Sequence, residues 1–416
     1  MSDRVIFHID VNSAFLSWEA VERLKEGEKV DLREIPSAVG GDIATRHGII
    51  LAKSIPAKKY NITTAEPVVD AIRKYPDLVL VPPRHDVYKK YSRAFMNILR
   101  QYSDTIEQFS IDEAFMDMTG TGRLFGPPVE AANRIKNQVR DELGFTVNVG
   151  VSSNKLLAKM ASDFRKPDLV HTLFPDEIES KMWPLPIGDL FFAGKAAVHR
   201  LNQLGIFTIG DLAKSDREVI CNVLKKQGDI LWRYANGIDD SPVEIVKADN
   251  KGYGNSTTLP FDVTDDMTAK SIILGLCDKV GSRLRNDGVK ADTITVQIKY
   301  NDLTKASHQC SLYSATNITQ EIYEQACKLF DEKWDGTPIR LLGVSTKVAS
   351  EDGGRQMNLF DNTDYEKLER LEAQIFNICE QFGKDAVFHA AAMNVPAPKK
   401  DAPGLTDVRF MAKIAD

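Results

Sequence analysis

Apolar residues along the chain recur with period two over short runs and with period 3.6 over longer ones, and the alternation of the two periods predicts the elements. Residues 4–10 read as a buried strand, with a helix beginning at Ser13 or Ala14. Short apolar runs at 35–40 and 48–54, punctuated by Gly40, Gly41 and Gly48, predict a small mixed subdomain. Residues 88–102 carry helical spacing, 106–116 return as one strand, 128–143 form an amphipathic helix and 146–151 a strand. That order predicts a βαββαβ-like sheet with helices on one face. Residues 173–237 read as mostly helical and 240–250 as a polar tether. A second βαββαβ pattern then runs from Tyr253 to Ser350, with helices at 268–285 and 319–333 and strands at 293–300, near 308–312 and at 340–348. Strict alternation over 293–300 buries Ile294, Val296 and Ile298 and leaves Thr295, Gln297 and Lys299 on the other face. In the tail, Thr363 with Glu366 forms a capping box, and Leu368, Leu371, Ile375, Ile378 and Phe382 make a stripe that ends at Gly383 and packs back on the body.

Composition narrows the class. A chain of 416 residues, 43% hydrophobic and 27% charged, is an ordinary globular protein of two to four domains. No apolar stretch reaches the length of a membrane span and no leader precedes the first strand, so no membrane association and a cytoplasmic location are expected. Five cysteines, without a C-x-x-C pair, imply reduced thiols and argue against a zinc site. A net charge of −6 is the wrong sign for a simple polyanion binder. A nucleic-acid role must therefore rest on local clusters, of which there are three: Lys53, Lys58 and Lys59; Arg84, Lys89, Lys90 and Arg93; Lys155, Lys159, Arg165 and Lys166.

The chemistry is carried by two carboxylate motifs. Val5-Ile6-Phe7-His8-Ile9-Asp10-Val11-Asn12 is an apolar run closing on Asp10, and Phe109-Ser110-Ile111-Asp112-Glu113-Ala114-Phe115 sets two acids in apolar surroundings. A buried carboxylate left unpaired is too costly, so a cation is required, and hard oxygen donors at one sheet edge suit Mg²⁺.

These segments resemble the Y-family translesion DNA polymerases, the group of DNA polymerase IV and UmuC. The resemblance extends through Val149-Gly150-Val151-Ser152-Ser153-Asn154-Lys155-Leu156-Leu157-Ala158-Lys159 to Lys166-Pro167 and covers residues 1–360 in matching order. It implies an α+β multidomain, right-hand polymerase. The ferredoxin-like palm would take 1–17 and 84–172, small fingers 18–83, a helical thumb with helix-hairpin-helix units 173–240, a linker 241–250, a βαββαβ little finger 251–350 and a C-terminal tail 351–416. Asp10, Asp112 and Glu113 would be catalytic, holding two Mg²⁺ ions with the Val11 carbonyl, while Asn12 would not be an essential ligand. Phe15 falls at the steric-gate position, where its ring excludes a 2′-hydroxyl. Ser13, Ala14, Phe15, Ser54, Lys58 and Lys166 would bind the nucleotide. The family usually has a tyrosine where Ile55 stands, and Ser54 is expected to take over part of that donor's role. Gly194, Lys195, Gly205 and Gly210 in the hairpins, and Thr295, Gln297 and Lys299 in the little finger, would contact DNA, although Phe192 stands where the first hairpin usually has glycine. The little finger is not basic overall, with twelve Lys plus Arg against twelve Asp plus Glu over 251–350. Gln356, Leu359 and Phe360 match the Q-x-x-L-F peptides that dock on the bacterial sliding clamp.

The implied function is templated, low-fidelity addition of deoxynucleotides to a primer by a monomer, with bypass of damaged bases. The implied partners are primer-template DNA, deoxynucleoside triphosphates and the sliding clamp. One rival is a non-catalytic DNA- and clamp-binding adaptor of the same fold, which has no need of the three acids. Another is a nucleotide cyclase on a related sheet, which has no use for the region after residue 173.

Overall fold

In the computed structural model, which describes residues 4–41, 48–246, 249–349, 364–383 and 386–387, the first apolar run becomes β1 (Ile6–Val11), buried throughout. Ser13, at φ 48°, turns the chain sharply into α1 (Ala14–Lys25). β2 (Ser37–Gly40), β3 (Ile50–Lys53) and β4 (Val79–Val81) form a small sheet of their own, carrying α2 (Ile55–Lys58) and α3 (Val68–Lys74). Next come α4 (His85–Leu99), β5 (Ile106–Gln108), β6 (Glu113–Asp117), α5 (Gly122–Phe125), α6 (Pro128–Leu143), β7 (Val147–Ser152), α7 (Lys155–Asp163) and β8 (Val170–Thr172). Their strands join β1 in a five-stranded sheet ordered β5-β6-β1-β7-β8, in which β1 is antiparallel to both neighbours.

Strand side chains alternate, so Phe7, Ile9 and Val11 enter the core shared with α1, α4 and α6. Ile6, His8 and Asp10 take the opposite face, where Ile6 meets Ala158 of α7 and His8 lies 2.8 Å from the Ser162 hydroxyl. The expectation of helices on one face is thereby corrected, because α7 covers the second. Gly150 makes this possible: a Cβ there would lie 1.9 Å from the Ala158 carbonyl oxygen and 2.6 Å from the Ser162 nitrogen.

The reading of 106–116 as one strand is also corrected. The chain reverses at 109–112, where the Phe109 and Ser110 N–H groups both donate to the Glu113 carbonyl at 3.0 and 3.2 Å, and the Ser110 hydroxyl donates to the Asp112 carboxylate at 2.7 Å. Serine turn chemistry overrides the apolar period here. Further on, α8 (Lys195–Gln203), α9 (Ile209–Lys214), α10 (Arg217–Leu224) and α11 (Lys226–Ala235) pack with α7 around Leu201, Ile209, Leu212 and Leu231. The segment read as a tether begins strapped down, with Val243 buried against Ile6, Phe115 and Ala158, and Glu244 N–H donating to Glu107 at 2.8 Å.

The second unit, residues 249 onward, contains β9 (Gly252–Val263), α12 (Asp266–Asn286), β10 (Ala291–Tyr300), β11 (Lys305–Thr316), α13 (Thr319–Lys333) and β12 (Ile339–Val348). The antiparallel sheet is ordered β11-β10-β12-β9. Ile294, Val296 and Ile298 enter the core with α12 and α13, and Thr295, Gln297 and Lys299 occupy the opposite face. α14 (Tyr365–Phe382) follows, capped by Asp364, whose carboxylate accepts from Lys367 N–H; Thr363 of the expected Thr363–Glu366 box lies outside the described residues. The expected stripe does not set the helix's rotation, since Leu371, Ile378 and Phe382 are 50%, 41% and 71% exposed. Instead Glu372 is drawn in against Arg285 and Thr319, both at 3.2 Å, and Glu369 meets Lys290 at 2.8 Å. Ion pairing outweighs the apolar pattern on this helix. No described helix is long and apolar enough to cross a membrane, and the five cysteines are free.

Candidate active site

The site is built where β1 ends and β6 begins. Asp10 is in register with Glu113 on one neighbour and Asn148 on the other. Val11 N–H donates to the Asp112 carbonyl at 3.0 Å, which holds the turn residue beside the strand end. A strand residue's carbonyl leaves on the same edge as its N–H, so the Val11 oxygen faces that side too. Asp10, Val11, Asp112 and Glu113 line one cavity of about 540 Å³, together with Ser13, Ala14, Phe15, Lys58 and Lys166.

Two of the three carboxylates already have a cationic partner, and Asp112 has the Ser110 hydroxyl. Lys166 Nζ contacts both Asp10 and Asp163, and Lys159 Nζ lies 2.9 Å from Glu113 and 3.2 Å from Asp163. For Asp10 and Glu113 the cation that burial demands is therefore supplied by the chain itself, and their burial alone does not require a metal. Sequence reading missed Lys159 and Asp163 as parts of the site, although their spacing of four on one helix was a usable signal. It missed His8 as well. Ser162 donates its hydroxyl proton to the Lys159 carbonyl at 2.8 Å, so it accepts from His8 Nδ1–H, and His8 Nε2 is left 3.8 Å from the Glu113 carboxylate. Burial pushes the imidazole down to about 4. Burial also pushes the Asp10 carboxyl up to about 6, against the pull of Lys166, and raises Asp112. Glu113 goes the other way: burial would raise it, but the Lys159 ammonium 2.9 Å away holds it below the usual carboxylate range.

Among the described residues no three acidic or imidazole side chains converge into a ready-made metal cage. The donors are nonetheless of the right kind: three carboxylates and a carbonyl, all hard oxygens on one cavity, fit a divalent cation once Asp10 and Glu113 turn from their lysines. Asn12 is not free to join them, since its carboxamide donates to Asn148 and accepts from the Thr146 hydroxyl and Asp168 N–H.

Phe15 lines the cavity from the first turn of α1, its ring stacked on the buried Tyr88 with centroids 4.6 Å apart and planes at 12°. Tyr88 is itself held by the buried Glu19, which also takes Arg23 and Arg84. With Arg84 on Glu19 and Lys90 on Glu22, two cations of the second basic cluster are spent internally. Ser54 is corrected as a nucleotide ligand. Its hydroxyl donates to the Ile35 carbonyl at 2.7 Å, accepts from Ser37 and Ala57 N–H at 3.1 Å, and is absent from the cavity wall.

The two hairpins expected to contact DNA differ. In the second, Gly205 N–H donates to Asn202, Gly210 N–H donates to Trp183, and the Asp211 carboxylate takes the Phe207 and Thr208 amides. Gly205 and Gly210 thus have no amide to give a phosphate, and Gly210 is there to pack on Trp183, 3.0 Å from where its Cβ would be. In the first hairpin, Phe192 keeps a left-handed φ of 67°, the backbone that glycine takes without strain. Gly194 then opens α8 at Lys195 with no side chain capping the first turn. Gln356, Leu359 and Phe360 lie outside the described residues.

Comparison with known proteins agrees with this geometry. Residues 9–163 match the impB/mucB/samB family and residues 250–359 its C-terminal domain. The chain is 44% identical over 390 residues to DNA polymerase IV of Clostridium acetobutylicum, covering 94% of this chain and 98% of that protein. It is 37% identical to a DNA polymerase IV of Bacillus subtilis, with 94% and 95% covered. Among solved structures, a chimeric Y-family DNA polymerase superposes with a TM-score of 0.69 at 25% identity, covering 82% of this chain and 98% of that one. A ternary complex of Dbh gives 0.55 at 25% identity, with 83% and 99% covered. The chain belongs to the impB/mucB/samB family and is a Y-family translesion DNA polymerase, a DNA-directed DNA polymerase of divalent-metal dependence.

Proposed function

We propose that this polymerase extends a primer 3′ end in the cavity at the end of β1, with Mg²⁺ as its divalent cation and two ions per site. Asp10, Asp112 and Glu113, with the Val11 carbonyl, would hold the ions, which supply charge neutralisation at the transferring phosphorus. Lys58 and Lys166 bind the triphosphate as point charges, without the fork that arginine would offer. Phe15, backed by Tyr88, lies under the sugar and excludes a 2′-hydroxyl. Ala14, Ala52 and Ile55 give the nascent base pair small or flexible walls, which suits damaged templates and lowers fidelity. The observation that carries this reading is the convergence of three acids, Phe15, Lys58 and Lys166 on one cavity. Primer extension with Mg²⁺ on undamaged and lesion-bearing templates tests it, and absence of extension on both would sink it.

The related ternary complex supports simultaneous binding of DNA and nucleotide. Duplex would be held at Gly194 and Lys195, where α8 begins, and along Thr295, Gln297 and Lys299 on the open sheet face. The palm takes 1–17 and 84–172, the fingers 18–83, the thumb 173–240, the linker 241–250, the little finger 251–350 and the tail 351–416. The enzyme acts as a monomer in the cytoplasm and is recruited by the sliding clamp through Gln356, Leu359 and Phe360. Deleting 356–360 is expected to leave distributive synthesis intact while abolishing stimulation by added clamp, an effect of about 10²–10⁴ through effective concentration alone. Stimulation that survives the deletion would move the docking site elsewhere.

A further inference from the structure

The fingers carry a cation that no role above absorbs. Sequence reading left the triphosphate one donor short at Ile55 and turned to Ser54, whose hydroxyl is consumed by Ile35, Ser37 and Ala57. Lys53, the last residue of β3, lines the same cavity as Lys58. Its ammonium donates to the Thr64 hydroxyl at 3.2 Å, and no carboxylate among the described residues pairs with it. Lys159 and Lys166 differ from it in kind. Each of those bridges two carboxylates and so neutralises the site's own acids, whereas Lys53 and Lys58 bring positive charge to the cavity without an acidic partner at contact among the described residues.

That arrangement is unfavourable as it stands. Burial and the neighbouring Lys58 charge hold the Lys53 ammonium below its ordinary pKa, against the weaker opposing pull of the Glu66 carboxylate. An anion lying against the two lysines would relieve their repulsion and replace the water that burial removes. The remaining Nζ donors of Lys53 are available for this, since an ammonium has three and Thr64 takes one.

We propose that Lys53 is a further phosphate-binding residue of the nucleotide cleft, acting beside Lys58 with Thr64 as its anchor. The inference rests on the reading of this cavity as the polymerase site. Two phosphates enter such a cleft, the triphosphate of the incoming nucleotide and the backbone of the template strand, and the ammonium chemistry serves either.

Full-length Lys53→Met and Lys53→Arg, assayed beside the unaltered enzyme, separate them. If the ligand is the triphosphate, Lys53→Met raises KM for deoxynucleotides roughly tenfold at nearly constant kcat, the effect of one charged hydrogen bond, and Lys53→Arg restores it. If the ligand is template phosphate, KM holds while Kd for primer-template rises roughly tenfold and the salt dependence of binding loses about one ion. Both results support a phosphate ligand. The proposal is overturned if Lys53→Met leaves KM and Kd both unchanged, or if Lys53→Arg is as impaired as Lys53→Met, which would make the side chain a packing element fixed by Thr64. Thermal melting of both variants checks folding. An unaltered enzyme that fails to extend primers would remove the reading of the cavity itself, and normal extension with no effect of Lys53→Met would remove only this inference.

Discussion

Asp112→Asn is expected to lower primer extension by about 10³-fold or more while leaving primer-template affinity and fold stability nearly unchanged. The variant is isosteric, and among the described residues the one side chain bonded to that carboxylate is its half-buried turn neighbour Ser110, so little else depends on its charge. Glu113→Gln should abolish extension equally but is the less clean experiment. Lys159 would lose one of two carboxylates that meet its buried ammonium, keeping only Asp163, and some stability would go with it. Single-turnover extension and DNA binding by anisotropy, run together, separate lost chemistry from lost binding. Extension at the normal rate by Asp112→Asn would remove that residue from catalysis.

Phe15→Ala should raise ribonucleotide incorporation relative to deoxynucleotide incorporation by roughly 10²-fold, with deoxynucleotide incorporation itself much less affected. Discrimination by a clash requires a wall that cannot step aside. Phe15 has that property because its face is stacked on Tyr88, which is fully buried and tied to Glu19. Truncation also costs packing, so Phe15→Leu is a useful companion that keeps bulk at the helix start but loses the flat ring. The ratio of kcat/KM for matched ribo- and deoxynucleotides is the measurement. An unchanged ratio in both variants would reduce Phe15 to a partner for Tyr88.

Where residues act through period and apolarity, the sequence was a good guide. The helices at 128–143 and 319–333 have the bounds that their spacing predicts, and Ile294, Val296 and Ile298 are buried as alternation requires. Where polar groups compete for partners, it was not. The 109–112 reversal depends on one serine hydroxyl, and the rotation of α14 on Glu372 finding Arg285. Gly205 and Gly210 looked like phosphate contacts by motif, but whether an amide is free is decided by which carbonyl is nearby, and here Asn202 and Trp183 take them. The acids themselves were legible, being charged residues in apolar strands. Their lysine partners come from residues 159 and 166, far along the chain, and only the packing of α7 on the second face of the sheet brings them in. Gly150 was the one sequence clue to that packing, and glycine in a strand has several explanations.

The internal neutralisation of Asp10 and Glu113 by Lys166 and Lys159 bears on how the enzyme can be handled at the bench. A protein whose fold waits for its metal is denatured by chelators, because binding and folding are then one event. Here two of the three acids already have counter-charges of their own, so a chelator should stop synthesis without loosening the molecule, and Tm with and without it should agree to within about 2 °C, a shift that corresponds to about 1 kcal/mol or less in a domain of this size. Purification, storage and loading onto DNA can then all be done in the silent state, with the reaction started by a single addition of the cation.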